Sequence, residues 1–237
     1  IYYSMFGFQR VGDQIWAAAD QRPRGFLLGA TSGRTTLGGE GLQHQDGTSH
    51  LIAATIPNCK AWDPAFSAEM AVIVDRGMRE MMVERQDVFY YITLMNENYP
   101  QVDLPEGAEE NLLRGAYRLM QLRPIPGANP TAITSSRPTA RTANSSAGKA
   151  SVAAPTAAAL TLLGSGAILT EVIQAARALV EQGVAVDVIS VTSWSQLARD
   201  GQASEAEERT PFLAHLLADT HGPIVAATDY VRAVGAP

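Results

Sequence analysis

Apolar residues fall into two patterned regions separated by an unpatterned one. In the first, Phe8, Val11, Ile15, Trp16 and Ala19 recur at helical spacing. That spacing predicts an amphipathic helix over Gly7–Gln21, closed ahead of Pro23. The short apolar run Gly25–Thr31, bounded by breakers, predicts a buried strand, and Arg34–Asp46 a glycine-rich loop. Asp63 followed by Pro64 predicts a helix start, with Phe66, Met70, Val74, Met78 and Met81 carrying one apolar face to about Glu84. Asp87–Met95 is aromatic and β-branched, the strongest strand signal in the chain.

From Pro124 to Ala159 the residues are mostly Pro, Ala, Ser, Thr and Asn, with almost no large apolar side chains. Such a stretch cannot offset its ordering entropy and reads as a flexible linker or a disordered insertion. The expected organisation is therefore residues 1–122, a linker over 123–159, and residues 160–237. In the last region Leu160–Leu163 reads as a strand, Gly164-Ser165-Gly166 as a tight turn and Leu169–Gln182 as a helix stopped by Gly183. Val184–Val191 follows as a strand, Phe212–Ala218 as a helix and Ile224–Thr228 as a strand. Strand–helix–strand order favours a parallel, doubly wound sheet, so both regions are predicted to be α/β.

Composition narrows the function. A net charge of −6 over 237 residues offers no basic face for nucleic acid. No apolar run approaches the roughly 20 residues that a membrane helix needs. Cys59 is the only cysteine, so no intrachain disulfide forms and a cytoplasmic setting is expected; Cys59 itself reads as a buried structural thiol. The four histidines have no metal-site spacing with cysteine or carboxylate partners. Tyr2, Tyr3, Phe6 and Phe8 crowd the first residues, and such aromatics normally need covering; the start reads as a cut inside a longer protein.

Candidate chemistry concentrates in Arg34–His50 (R-T-T-L-G-G-E-G-L-Q-H-Q-D-G-T-S-H). Gly38, Gly39, Gly41 and Gly47 allow close backbone approach, and Glu40, His44, Asp46 and His50 are groups able to move protons or bind charge. This loop, with Tyr3–Asp13 (Y-S-M-F-G-F-Q-R-V-G-D) before it and Thr55–Cys59 (T-I-P-N-C) after it, resembles the homodimeric bacterial pyruvate dehydrogenases. So do Tyr90–Tyr99, Pro105–Glu110, Leu162–Leu169, Ser190–Gly201 (S-V-T-S-W-S-Q-L-A-R-D-G) and Thr228–Tyr230 (T-D-Y), all in the family's order.

The resemblance implies a transketolase-like architecture: two three-layer α/β/α domains with mostly parallel sheets, the N-terminal one incomplete. Residues 1–122 would be the later part of the pyrimidine-binding domain, and residues from 160 part of the C-terminal domain, which mainly supports a homodimer. The implied activity is decarboxylation of pyruvate on thiamine diphosphate with Mg2+, the two-carbon unit passing to the lipoyl group of the acyltransferase component. By motif position, Phe6 would lie against the cofactor's aminopyrimidine. Tyr3 would face the reacting centre, and His44 would stabilise the pyruvate-derived adduct. Glu40 would sit beside them and influence the active-site loops.

The chain also departs from that pattern. Gln45 and Thr48 stand where the family commonly has an acidic residue and another histidine, the linker is long, and the stretch after Gly201 is short. The G-D-G…N metal pattern is not in this sequence, and the family's catalytic glutamate should lie upstream of Ile1. The chain alone is therefore expected to hold one wall of an active site and to be inactive. The alternatives are a non-catalytic dimerisation or interaction piece, a decayed paralogue, a related dehydrogenase for another 2-oxo acid, or a transketolase. Among weaker signals, Met78, Met81 and Met82 read as core or interface filling, and Glu205, Glu207 and Glu208 as solvated surface near a helix start.

Overall fold

The computed structural model describes residues 1–125 and 158–235, so most of the expected linker lies outside the described residues. The first sheet holds strands β1 (Tyr2–Tyr3), β2 (Phe26–Ala30), β3 (Cys59–Trp62) and β4 (Phe89–Thr93), in the order β1-β2-β4-β3, all parallel. The second sheet holds β5 (Ala116–Leu122), β6 (Ala159–Gly164), β7 (Ala185–Val191) and β8 (Ile224–Ala227), in the order β5-β7-β6-β8. Here β6 runs parallel to β7 and β8, while β5 is the antiparallel edge. Both halves are α/β, as the apolar pattern implies.

One finding redraws the expected boundary. Ala116–Leu122 mixes buried and partly exposed positions, and nothing local says which sheet it joins. Its partner is β7, so the strand counted with residues 1–122 is built into the second sheet. Helix α1 (Ser4–Gln21) and helix α2 (Ser49–Thr55) cover one face of the first sheet, with Phe8, Ile15 and Ala53 on Phe89, Tyr91 and Ala61. Gly7 lets α1 come down on the Tyr2 ring, which occupies the space a Cβ would need. Helix α3 (Ser67–Met78) covers the other face, with the short helix α4 (Glu109–Leu113) against it.

No break in the core separates the halves. Trp62, Phe66, Ile73 and Tyr90 of the first half share one apolar cluster with Tyr117, Leu162, Leu169, Ile173 and Val188 of the second. Helix α5 (Ile168–Glu181) lies over β6 and β7 in that cluster, while helix α7 (Phe212–Leu216) and Trp194 pack against Ala116, Ile189 and Val191 elsewhere. Glu69 pins the junction. Its buried carboxylate accepts from Ala65 N (2.6 Å), Phe66 N (3.2 Å), Tyr117 Oη (2.7 Å) and Ser190 Oγ (2.6 Å). Burial pushes its pKa up, against those four donors.

Three expectations change in detail. The helix expected at Asp63 starts at Ser67: Glu69 accepts from the Ala65 and Phe66 amides just ahead of it, and the Asp63 carboxylate is taken by other partners. Met81 is core, but Met78 and Met82 are about half or more exposed. Glu205, Glu207 and Glu208 are exposed but sit at the end, not the start, of helix α6 (Trp194–Ala206). That helix has a start signal in the sequence, Ser193-x-x-Gln196: the Ser193 side chain accepts from Gln196 N at 3.2 Å.

Candidate active site

The site forms at the carboxyl ends of parallel strands, the usual crevice for ligands in open α/β sheets. Strand β1 ends at Tyr3 and turns directly into α1, which places Phe6 in its first turn. Strand β2, paired with β1 through Tyr3↔Ala30, ends beside it and releases the glycine-rich loop. The loop folds as two short 3-10 turns, Thr35–Leu37 and Leu42–His44, the second contacting α1. Leu37 is its buried anchor.

The arrangement brings Tyr3, Phe6, Glu40 and His44 together. Ring centroids lie 5.4 Å apart for Tyr3–Phe6, 5.4 Å for Tyr3–His44 and 5.2 Å for Phe6–His44. The Tyr3 hydroxyl donates to Glu40 Oε2 at 2.9 Å, and His44 Nδ1 lies 3.7 Å from the same oxygen. Desolvation and the Glu40 carboxylate raise the Tyr3 pKa. His44 Nδ1 is buried without a hydrogen-bond partner, so it has capacity for one more polar group. The Arg10 guanidinium lies over the Phe6 ring, 3.8 Å from its centroid.

Of the departures, Gln45 reaches back to the Leu37 carbonyl (3.4 Å), and Thr48 sits ahead of α2, its amide bonded to Asp46 Oδ1 (3.2 Å). His50 does not join the wall. It is buried at the junction of the halves, its Nε2 3.1 Å from Thr93 Oγ1 and 4.0 Å from Asp63 Oδ1, its ring 4.6 Å from that of Tyr230. Asp63 accepts from Thr93 Oγ1 (2.6 Å), Ser165 Oγ (2.7 Å) and Tyr230 Oη (3.2 Å). Burial drives the His50 pKa down against the pull of Asp63 and Asp46. The family string Ser190–Gly201 serves the same junction: Ser193 Oγ donates to the Ala61 carbonyl (2.5 Å), and Arg199 to the carbonyls of Cys59 (2.7 Å) and Ile56 (3.0 Å). Among the described residues no group of three His, Cys, Asp or Glu is placed to hold a metal, and no helix is long and apolar enough to cross a membrane.

Two sheets of this order and a site at the strand ends define a transketolase-like fold. Transketolase from Leishmania mexicana matches over 97% of this chain and 27% of its own, with a TM-score of 0.61 and 15% identity. A split-gene transketolase described as an inactive beta4 tetramer matches over 96% of this chain and 65% of its own, with a TM-score of 0.55 and 14% identity. Sequence is more specific. Residues 1–102 match the pyruvate dehydrogenase E1 component middle domain, and residues 149–236 the transketolase-like C-terminal domain. The pyruvate dehydrogenase E1 component of Escherichia coli (strain K12) is 47% identical over 242 residues, which is 98% of this chain and 24% of that protein. The chain belongs to the pyruvate dehydrogenase E1 family and spans about a quarter of the length of the curated relatives it matches.

Proposed function

We propose that this chain carries one wall of a pyruvate-decarboxylating site that works with thiamine diphosphate. The observation that carries the reading is the convergence of Tyr3, Phe6, Glu40 and His44 at the strand ends. The residues fit the cofactor in kind: Phe6 is a half-buried flat aromatic, and the unpartnered His44 Nδ1 awaits a polar group. When bound, thiamine diphosphate supplies the carbanion and the electron sink for decarboxylation. Phe6 would hold the aminopyrimidine through its aromatic face. His44, as a donor, lowers the cost of negative charge developing on the substrate-derived oxygen. Glu40 holds the Tyr3 hydroxyl at the rim, and Tyr3 would reach the substrate carboxylate by turning its one proton from Glu40 to that group.

In this reading the diphosphate and Mg2+ are held by a domain that these residues do not include. Residues 1–102 are the later part of the pyrimidine-binding domain, and residues from about 160 support a homodimer. The full-length enzyme, in the cytoplasm, passes its two-carbon unit to the lipoyl group of the acyltransferase component of its complex. The 237-residue chain alone is expected to be inactive and to bind the cofactor weakly. Calorimetric titration with thiamine diphosphate and Mg2+ should find no micromolar affinity, and at millimolar cofactor the largest NMR shifts should fall on Tyr3, Phe6 and His44. Micromolar binding, or shifts centred elsewhere, contradicts the proposal.

A further inference from the structure

The loop bearing Glu40 and His44 stands on two feet, and three consecutive residues of the second half grip both. At the first foot, the Asp229 carboxylate accepts from the backbone N–H of Arg34 (2.6 Å) and Thr35 (3.1 Å). The Arg34 side chain reaches back, Nε donating to the Asp229 carbonyl (2.7 Å) and Nη2 to the Tyr230 carbonyl (2.9 Å). The Tyr230 hydroxyl lies 2.5 Å from Ser32 Oγ, just before the loop. At the second foot, Val231 N–H donates to the Gly47 carbonyl (2.9 Å), and Asp46 N–H to the Gly33 carbonyl (3.0 Å) ties the feet together. Gly33 has φ +88°, and a Cβ there would run into the Asp229 carboxylate. The glycine and the aspartate are fitted to each other.

Between the feet the loop is held by the buried Leu37 and by the packing of Leu42–His44 on α1. Among the described residues, the hydrogen bonds of residues 36–45 run within the loop, to its first foot or to Tyr3. The feet, together with these holds, set where Glu40 and His44 stand relative to Tyr3 and Phe6, and a displaced foot would shift both. We infer that Asp229 is a positioning residue for this wall, through which the second half sets the geometry of the site without adding a group to it. The inference rests on the proposed function only for the chemistry that the wall serves; its geometry stands apart.

The test uses the 237-residue chain and reads the His44 imidazole resonances and their pH titration by NMR, with melting followed in parallel. Asp229→Ala should move and broaden the His44 signals while leaving a folded, cooperatively melting chain. Asp229→Asn, which keeps one oxygen to accept from the two amides, should restore most of the native signal. Val188→Ala, in the shared core, controls for lost stability: it should lower the melting temperature and leave His44 unchanged. If Asp229→Ala does not fold, Gly33→Ala carries the test, because its Cβ displaces the same carboxylate from the other side. His44 signals that match wild type in Asp229→Ala, or in Gly33→Ala, overturn the inference. No readout involves thiamine diphosphate, so failure of the functional reading would leave this result intact.

Discussion

Two clusters in this molecule share one inventory: a histidine, a carboxylate and a tyrosine. At the loop, His44 lies 3.7 Å from Glu40, with Tyr3 donating to that carboxylate. At the junction of the halves, His50 lies 4.0 Å from Asp63, with Tyr230 donating to that carboxylate. Residue types and distances nearly coincide, yet the clusters have opposite characters. The Asp63 oxygens are occupied by three hydroxyl donors from elements far apart in sequence. The Glu40 side chain is 47% exposed, and His44 Nδ1 has no partner. A catalytic-looking set of residues is thus a fastener when its hydrogen-bonding capacity is filled and water excluded. It is a candidate site when capacity and access are left over.

The largest effect should come from the buried cluster. Asp63→Ala leaves Thr93, Ser165 and Tyr230 short of their shared acceptor, and each buried orphan costs roughly 1–3 kcal/mol. A loss of about 3 kcal/mol is expected by denaturant titration, allowing for the second partners these hydroxyls keep. A loss under about 1 kcal/mol would make the cluster dispensable and erase the contrast.

The next effect is pH dependence. In the unfolded chain His50 takes up a proton near its ordinary value of about 6.5, whereas in the folded chain it does so only at lower pH. Its contribution to stability is therefore full above that value and drains away as pH falls toward the lowered one, by at most about 1.4 kcal/mol per pH unit. Glu69, pushed up by burial, acts in the opposite sense, so the informative quantity is the difference between wild type and His50→Gln. That variant should have a flatter stability profile between pH 7 and pH 5, and an unchanged slope would contradict the assignment. Glu80 does not intrude: burial raises its pKa, but Lys60, Tyr90 and Arg76 outweigh that and hold it low.

The smallest effects belong to the rim. Glu40→Ala and His44→Ala should each cost less than about 1 kcal/mol, since exposed polar pairs contribute little. Glu40→Ala should nonetheless return the raised Tyr3 titration toward its ordinary value. A stability loss above about 2 kcal/mol in either variant would turn the rim into a second fastener and break the comparison.

How much of this was legible in the sequence depended on how local each feature is. Gly25–Thr31 and Asp87–Met95 announced strands because their apolar runs are continuous, and the glycine-rich loop announced itself by motif. Glu40 and His44 could be named from that loop, and Tyr3 and Phe6 from the Tyr3–Asp13 string, by resemblance to the family, but their meeting depends on the β1–β2 pairing, which no spacing reveals. Asp63-Pro64 looked like a helix cap because the partners that claim its carboxylate, Ser165 and Tyr230, lie more than 100 residues away in sequence. Ala116–Leu122 joined the second sheet by pairing with a strand beyond the unpatterned stretch. The T-D-Y string carries family resemblance in the sequence, but its grip on Arg34 and Thr35 is a tertiary contact between the two halves.

His44 and its neighbours are proposed to form one wall of a pyruvate-decarboxylating site. The most direct measurement is pyruvate turnover by a full-length enzyme of this family carrying these residues, with and without His44→Ala. Removing a donor aimed at developing charge typically costs about 100- to 1,000-fold in kcat. The prediction is a loss of that order, with melting temperature and cofactor loading unchanged. Near-normal turnover in His44→Ala would contradict the account.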